Sequence, residues 1–130
     1  MRRPQQRWSV RSSGSAWTLL LGVLTLAACA PVEQPTGPGA TTYLRYCYSC
    51  HAAGIAGAPR VGSAEQWRAR AAQGLDVLLA HTLAGIDPGM PEKGGCRECS
   101  DAELVAAIEH MLAASGLSYG ADGSVEASAP

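Results

Sequence analysis

Phenylalanine is absent from this chain of 130 residues, and aromatics of every kind make up 5% of it. Between positions 40 and 115 the large aromatics are Tyr43, Tyr46, Tyr48 and Trp67. A domain of that length is marginal on its own core and calls for a staple or a filler that the side chains do not supply. Strict apolar–polar alternation is also missing, which argues against half-buried strands. No internal repeat is visible. The apolar run Ala16 to Ala28 falls short of the roughly 20 residues that a membrane-spanning helix needs. Basic residues are scarce beyond position 29: Arg45, Arg60, Arg68, Arg70, Lys93 and Arg97 stand against eleven acids, a net charge of −5. That balance excludes a basic nucleic-acid footprint.

What is present begins with an export pattern. Arg2, Arg3, Arg7 and Arg11 precede the apolar run without an intervening acid, and the run ends in small residues, as in a secretory signal. Leu26-Ala27-Ala28-Cys29 resembles a bacterial lipobox, in which Cys29 becomes the lipidated first residue. Plain cleavage near Ala28 is the alternative. The expected organisation is a signal peptide over 1–28, a lipid-anchored flexible linker over 29–39, a folded domain over 40–115 and a disordered tail over 116–130. The linker is rich in Pro and Gly and reaches roughly 30 Å if extended.

The chemistry is concentrated in Cys47-Tyr48-Ser49-Cys50-His51. Cys-x-x-Cys-His is the attachment signature of covalent c-type haem. Two thiols at i and i+3 share one side of a helix and reach two vinyl groups together, and the adjacent histidine is then held against the iron. A buried porphyrin would also supply the missing apolar volume. Four side chains downstream compete for the opposite iron face: Met90, Met111, His81 and His110. Met111 follows the apolar stripe of a helix, and both histidines lie within helical stretches. Met90 sits in Asp87-Pro88-Gly89-Met90-Pro91, where the following proline favours extended backbone, so a stiff loop offers its thioether. Met90 is therefore the expected partner of His51.

Five cysteines are then assigned without remainder: Cys29 to lipid, Cys47 and Cys50 to haem, and Cys96 and Cys99 to a disulfide suited to an oxidising compartment. Closing so short a loop contributes about 2 kcal/mol. Two other uses of the same residues stay open, a Cys₄ zinc site and a redox-active Cys96/Cys99 dithiol beside a helix N-terminus.

The pattern predicts an all-α domain with Gly/Pro-rich connections. Helices are expected over Thr41 to Ser49, from Ser63 to about Gln73, over Leu75 to Ala84, and from Ser100 to before Gly116. Ser63-x-x-Gln66 and Ser100-x-x-Glu103 both read as capping boxes. Leu104, Ile108, Met111 and Leu112 keep helical spacing in the last.

Cys47 to His51, Gly54 to Gly62, Trp67, Arg70, Gly74, His81 to Gly85, Met90-Pro91-x-Lys93-Gly94-Gly95 and Cys96-x-x-Cys99-Ser100-Asp101-x-Glu103 together resemble the cytochrome c5 family. The resemblance implies a class I cytochrome c fold, about four helices around one covalent haem c, with His51 and Met90 as axial ligands, the Cys96–Cys99 disulfide beside the Met loop, and electron transfer in the periplasm. The expected function is a monohaem electron carrier, not an enzyme, cycling Fe(II)/Fe(III) without a small-molecule substrate. Its partners would be redox proteins: a quinol-oxidising complex, an oxidase or a periplasmic reductase. The lipid anchor would hold it at the periplasmic side of a bacterial membrane. A ligand sensor or enzyme in which Met90 is displaced, and a fixed subunit of a larger redox complex, are the alternatives.

Overall fold

In the computed structural model, residues 36–128 are described. The expected signal peptide, Cys29 and most of the expected linker lie outside them. The first helix, α1, runs through three consecutive stretches, Ala40–Thr42, the π-helical Tyr43–Cys47 and Tyr48–His51. It therefore extends past the expected Ser49 and carries the whole Cys-x-x-Cys-His run. Wide π turns of this kind recur at functional sites in helices. The chain then passes through a 3₁₀ turn, Ile55–Gly57, into α2 (Ala64–Ala71) and α3 (Leu75–Ala84). A second 3₁₀ turn, Glu92–Gly95, follows the Met loop. The last helix, α4, spans Asp101–Ala113.

The two expected capping boxes part company. At α4 the box is complete: Ser100 Oγ accepts from Glu103 N, and the Glu103 carboxylate accepts from Ser100 N. At α2 the Ser63 side chain makes no cap bond, because Gln66 Oε1 accepts instead from the Arg60 backbone N at 2.9 Å. The glutamine is thus used to secure the preceding loop.

Two expectations about boundaries are corrected. Residues 117–128 are not a disordered tail. Leu117–Tyr119 (β1) pairs antiparallel with Val125–Ala127 (β2), Tyr119 opposite Val125. Leu117 has 0% exposure and joins the main core with Trp67, Ala71 and Ile108, while Tyr119 Oη donates to the Ala71 carbonyl at 2.9 Å. One buried leucine and one satisfied hydroxyl hold a segment whose composition is otherwise small and polar. The domain also starts before Ala40. Gly39 takes φ 77° and lies so close to α4 that a Cβ there would come within 1.9 Å of the Ala106 carbonyl oxygen, a contact that only glycine permits.

Among the described residues, two apolar clusters divide the interior. The larger centres on Tyr43, Trp67, Leu78, Ile108 and Met111 between α1, α2, α3 and α4. The smaller joins Cys96, Cys99 and Leu104, with Tyr46, Leu79 and Leu83 against them. The space between α1, the Ile55–Gly57 turn and the Met loop is left for the site.

Candidate haem site

His51 ends α1 and is 7% exposed. Its Nδ1 lies 2.9 Å from the Pro59 carbonyl oxygen, and since a carbonyl only accepts, Nδ1 carries the proton and Nε2 keeps its lone pair. Trp67 stacks on the same imidazole, with centroids 5.6 Å apart and planes 25° from parallel. The Trp67 indole N–H donates to the Arg60 carbonyl at 3.0 Å, and Val61 N donates to the His51 carbonyl at 2.8 Å. Burial lowers the His51 pKa against the opposing effect of the Pro59 bond, and the nearby Arg70 charge lowers it further. The imidazole is thus neutral, oriented and free at one nitrogen, the state a metal ligand requires.

Cys47 and Cys50 are both free thiols and half-buried. Burial pushes the Cys47 thiol up to about 11, with Cys50 adding to the shift, so it stays protonated at neutral pH. Both cysteines line a cavity of about 250 Å³ together with His51, Met90 and Tyr46. A second cavity of about 220 Å³ also includes His51 and Met90 and is floored by Trp67, Leu78 and Met111. The two share His51, Pro59, Arg70, Ile86 and Met90, which makes them lobes of one cleft.

Met90 is held there by a tight loop. Ile86 N donates to the Met90 carbonyl and Met90 N to the Ile86 carbonyl, each at 2.8 Å. Gly85 makes the closure possible: it adopts φ 77°, and a Cβ on it would lie 2.7 Å from the Met90 oxygen. Of the other downstream candidates, Met111 is in the core. His110 faces Tyr43 with ring centroids 5.1 Å apart. His81 is exposed on α3 and touches the second lobe alone. Cys96 and Cys99 are bonded to each other, S–S 2.01 Å, so four free thiols are not available for a zinc site.

The chain matches, over residues 34–111, a family model described as cytochrome C oxidase, cbb3-type, subunit III. It is 49% identical over 69 residues to cytochrome c5 of Azotobacter vinelandii, covering 52% of this chain and 82% of that one. The chain belongs to the cytochrome c5 family. Two solved structures are similar. A cytochrome c in an electron transfer complex with nitrite reductase has 39% identity and a TM-score of 0.57, covering 63% of this chain and 99% of its own. A mono-heme ferrocytochrome c from Shewanella putrefaciens has 36% identity and a TM-score of 0.53, covering 58% and 93%. This cytochrome is therefore a mainly helical monohaem class I protein with one covalent haem c, an electron carrier rather than an enzyme. The donor set fits that group: two adjacent thiols, a tautomer-fixed imidazole and a thioether share one apolar cleft.

Some features of the cytochrome's site escaped sequence reasoning. Arg70, three residues after Trp67 on α2, shares the cleft beside His51 with that indole, a spacing that was available as a signal. The link from Tyr46 Oη to the Glu98 carboxylate spans 52 positions and left no local trace.

Proposed function

We propose that Cys47 and Cys50 form the two haem thioethers and that His51 and Met90 are the axial ligands of this cytochrome. The observation that carries the reading is that His51 and Met90 line both lobes of the cleft while the two thiols line one wall. When bound, the haem supplies one-electron Fe(II)/Fe(III) cycling. The chain's own part is to orient and desolvate it. Pro59 and Trp67 hold the imidazole, the Ile86–Met90 pairing holds the loop that carries the thioether, and these two side chains would leave no open position for a substrate. A soft, neutral thioether favours the ferrous state and raises the potential.

The reading extends to location and partners. Cleavage before Cys29 and its lipidation would anchor the domain on the periplasmic side of a bacterial membrane, with 29–38 as tether, since Gly39 packs against α4. A relative's complex with nitrite reductase supports a redox protein as partner, met through a small transient interface. The disulfide Cys96–Cys99 belongs to the same exported state.

Mass spectrometry after expression with a haem-attachment system tests the core of this. The expected mass is that of the chain plus one haem, lost in Cys47→Ser/Cys50→Ser. Met90→Ala should abolish the sulfur–iron charge-transfer band and lower the potential, whereas His81→Ala should leave both unchanged. A Met90→Ala protein that keeps the band overturns the ligand assignment. Recovery of Cys29 with a free amine overturns the anchor.

A further inference from the structure

Met90 lies in a loop that α1 does not directly touch through its own hydrogen bonds, yet two side-chain links join them through the Cys96–Cys99 loop. On one side Tyr46, next to the first haem-attachment cysteine, donates from its hydroxyl to the Glu98 carboxylate. Its ring packs against the Cys96, Cys99 and Leu104 cluster and lines the cleft. On the other side Lys93, three residues after Met90, donates from Nζ to the Cys99 carbonyl at 2.9 Å. Lys93 adopts φ 53°, a left-handed conformation that costs a non-glycine residue energy and persists only where surrounding contacts hold it.

We propose that Tyr46–Glu98 and Lys93–Cys99 form a strap that keeps the Met90 thioether in place, with Tyr46, Glu98 and Lys93 as positioning residues. The disulfide is the rigid middle of this strap, and the two hydrogen bonds are its ends. Glu98 accepts as a carboxylate: the Tyr46 bond lowers its pKa first, with a smaller backbone contribution. A charge-assisted bond of this kind is stronger than a neutral one. The strap makes the lifetime of the Met90–iron bond depend on contacts far from the iron. This inference rests on Met90 being the sixth ligand.

Stopped-flow carbon monoxide binding to the reduced holoprotein tests it, because the gas can bind only after Met90 leaves. The sulfur–iron band of the unaltered protein is checked first. Its absence would overturn Met90 ligation itself, and with it the strap. With the band present, Tyr46→Phe, Glu98→Ala and Lys93→Ala should each bind carbon monoxide about 3- to 10-fold faster, as expected for one lost hydrogen bond. Glu98→Gln, which keeps a neutral acceptor, should recover part of the loss. The double variant Tyr46→Phe/Glu98→Ala should be no faster than the quicker single one. Tyr119→Phe is the structural control: it removes a hydroxyl-to-carbonyl bond to Ala71 remote from the Met loop and should lower stability without changing the rate. Equal acceleration in Tyr119→Phe, additive effects in the double variant, or no recovery in Glu98→Gln would overturn the strap.

Discussion

Trp67 lies against His51 as a stacked pair, and its indole N–H is spent on the Arg60 carbonyl. One side chain thereby fixes both the plane of the imidazole and the loop that carries its acceptor, Pro59. Replacing Trp67 by Phe removes the N–H, leaves the Arg60 carbonyl without that partner and opens space beside His51. The expected loss is about 1–3 kcal/mol of unfolding free energy in the holoprotein, read from urea denaturation. A loss within a few tenths would show that the indole is not a structural tie.

Ser100→Ala should cost about 1 kcal/mol, because it dismantles a complete capping box. Ser63→Ala, at a position with the same sequence signature, should change stability little, since its side chain caps nothing. Thermal unfolding of the two variants side by side checks the contrast.

Leu117→Ala should destabilise by about 2–5 kcal/mol, the range for a fully buried leucine. Hydrogen exchange should then show the β1–β2 amides losing protection, which a disordered tail would never have had.

Gly85→Ala forces a Cβ to within 2.7 Å of the Met90 carbonyl on a backbone at φ 77°. The Met loop must shift, so the sulfur–iron band should weaken at neutral pH while the haem stays covalently attached. An unchanged band would mean that the Ile86–Met90 closure does not depend on this glycine.

His110 packs against Tyr43, and burial lowers its pKa. The unfolded chain therefore binds a proton at this site more readily than the native one. Its contribution to stability is intact above the ordinary histidine range near 6.5 and is lost as pH falls through the lower native value. In the holoprotein, His110→Gln should flatten the stability profile between about pH 7 and pH 5, measured by urea titration at each pH. His51, as the proposed axial ligand, would not enter this window.

Much of this was legible locally. Cys47, Cys50 and His51 lie within five consecutive residues, and the helix that presents them follows from i, i+3 geometry. The Ser100–Glu103 box announced α4, and Leu75 to Ala84 read as a helix with the bounds found. Where the pattern misled, a distant atom had changed the use of a residue: Gln66 was drawn to the Arg60 backbone, and Leu117 was drawn into the core by Trp67, Ala71 and Ile108.

Short-range covalent and helical order thus sufficed to place two thiols and an imidazole on one helix end, since only neighbours in the chain are involved. Bringing Met90 to the same cleft, stacking Trp67 on His51, tying Tyr46 to Glu98 and folding the hairpin onto Ala71 all join residues far apart along the chain. Those contacts exist only after the helices have packed, because burial and unpaired hydrogen-bonding groups, not local propensity, select them.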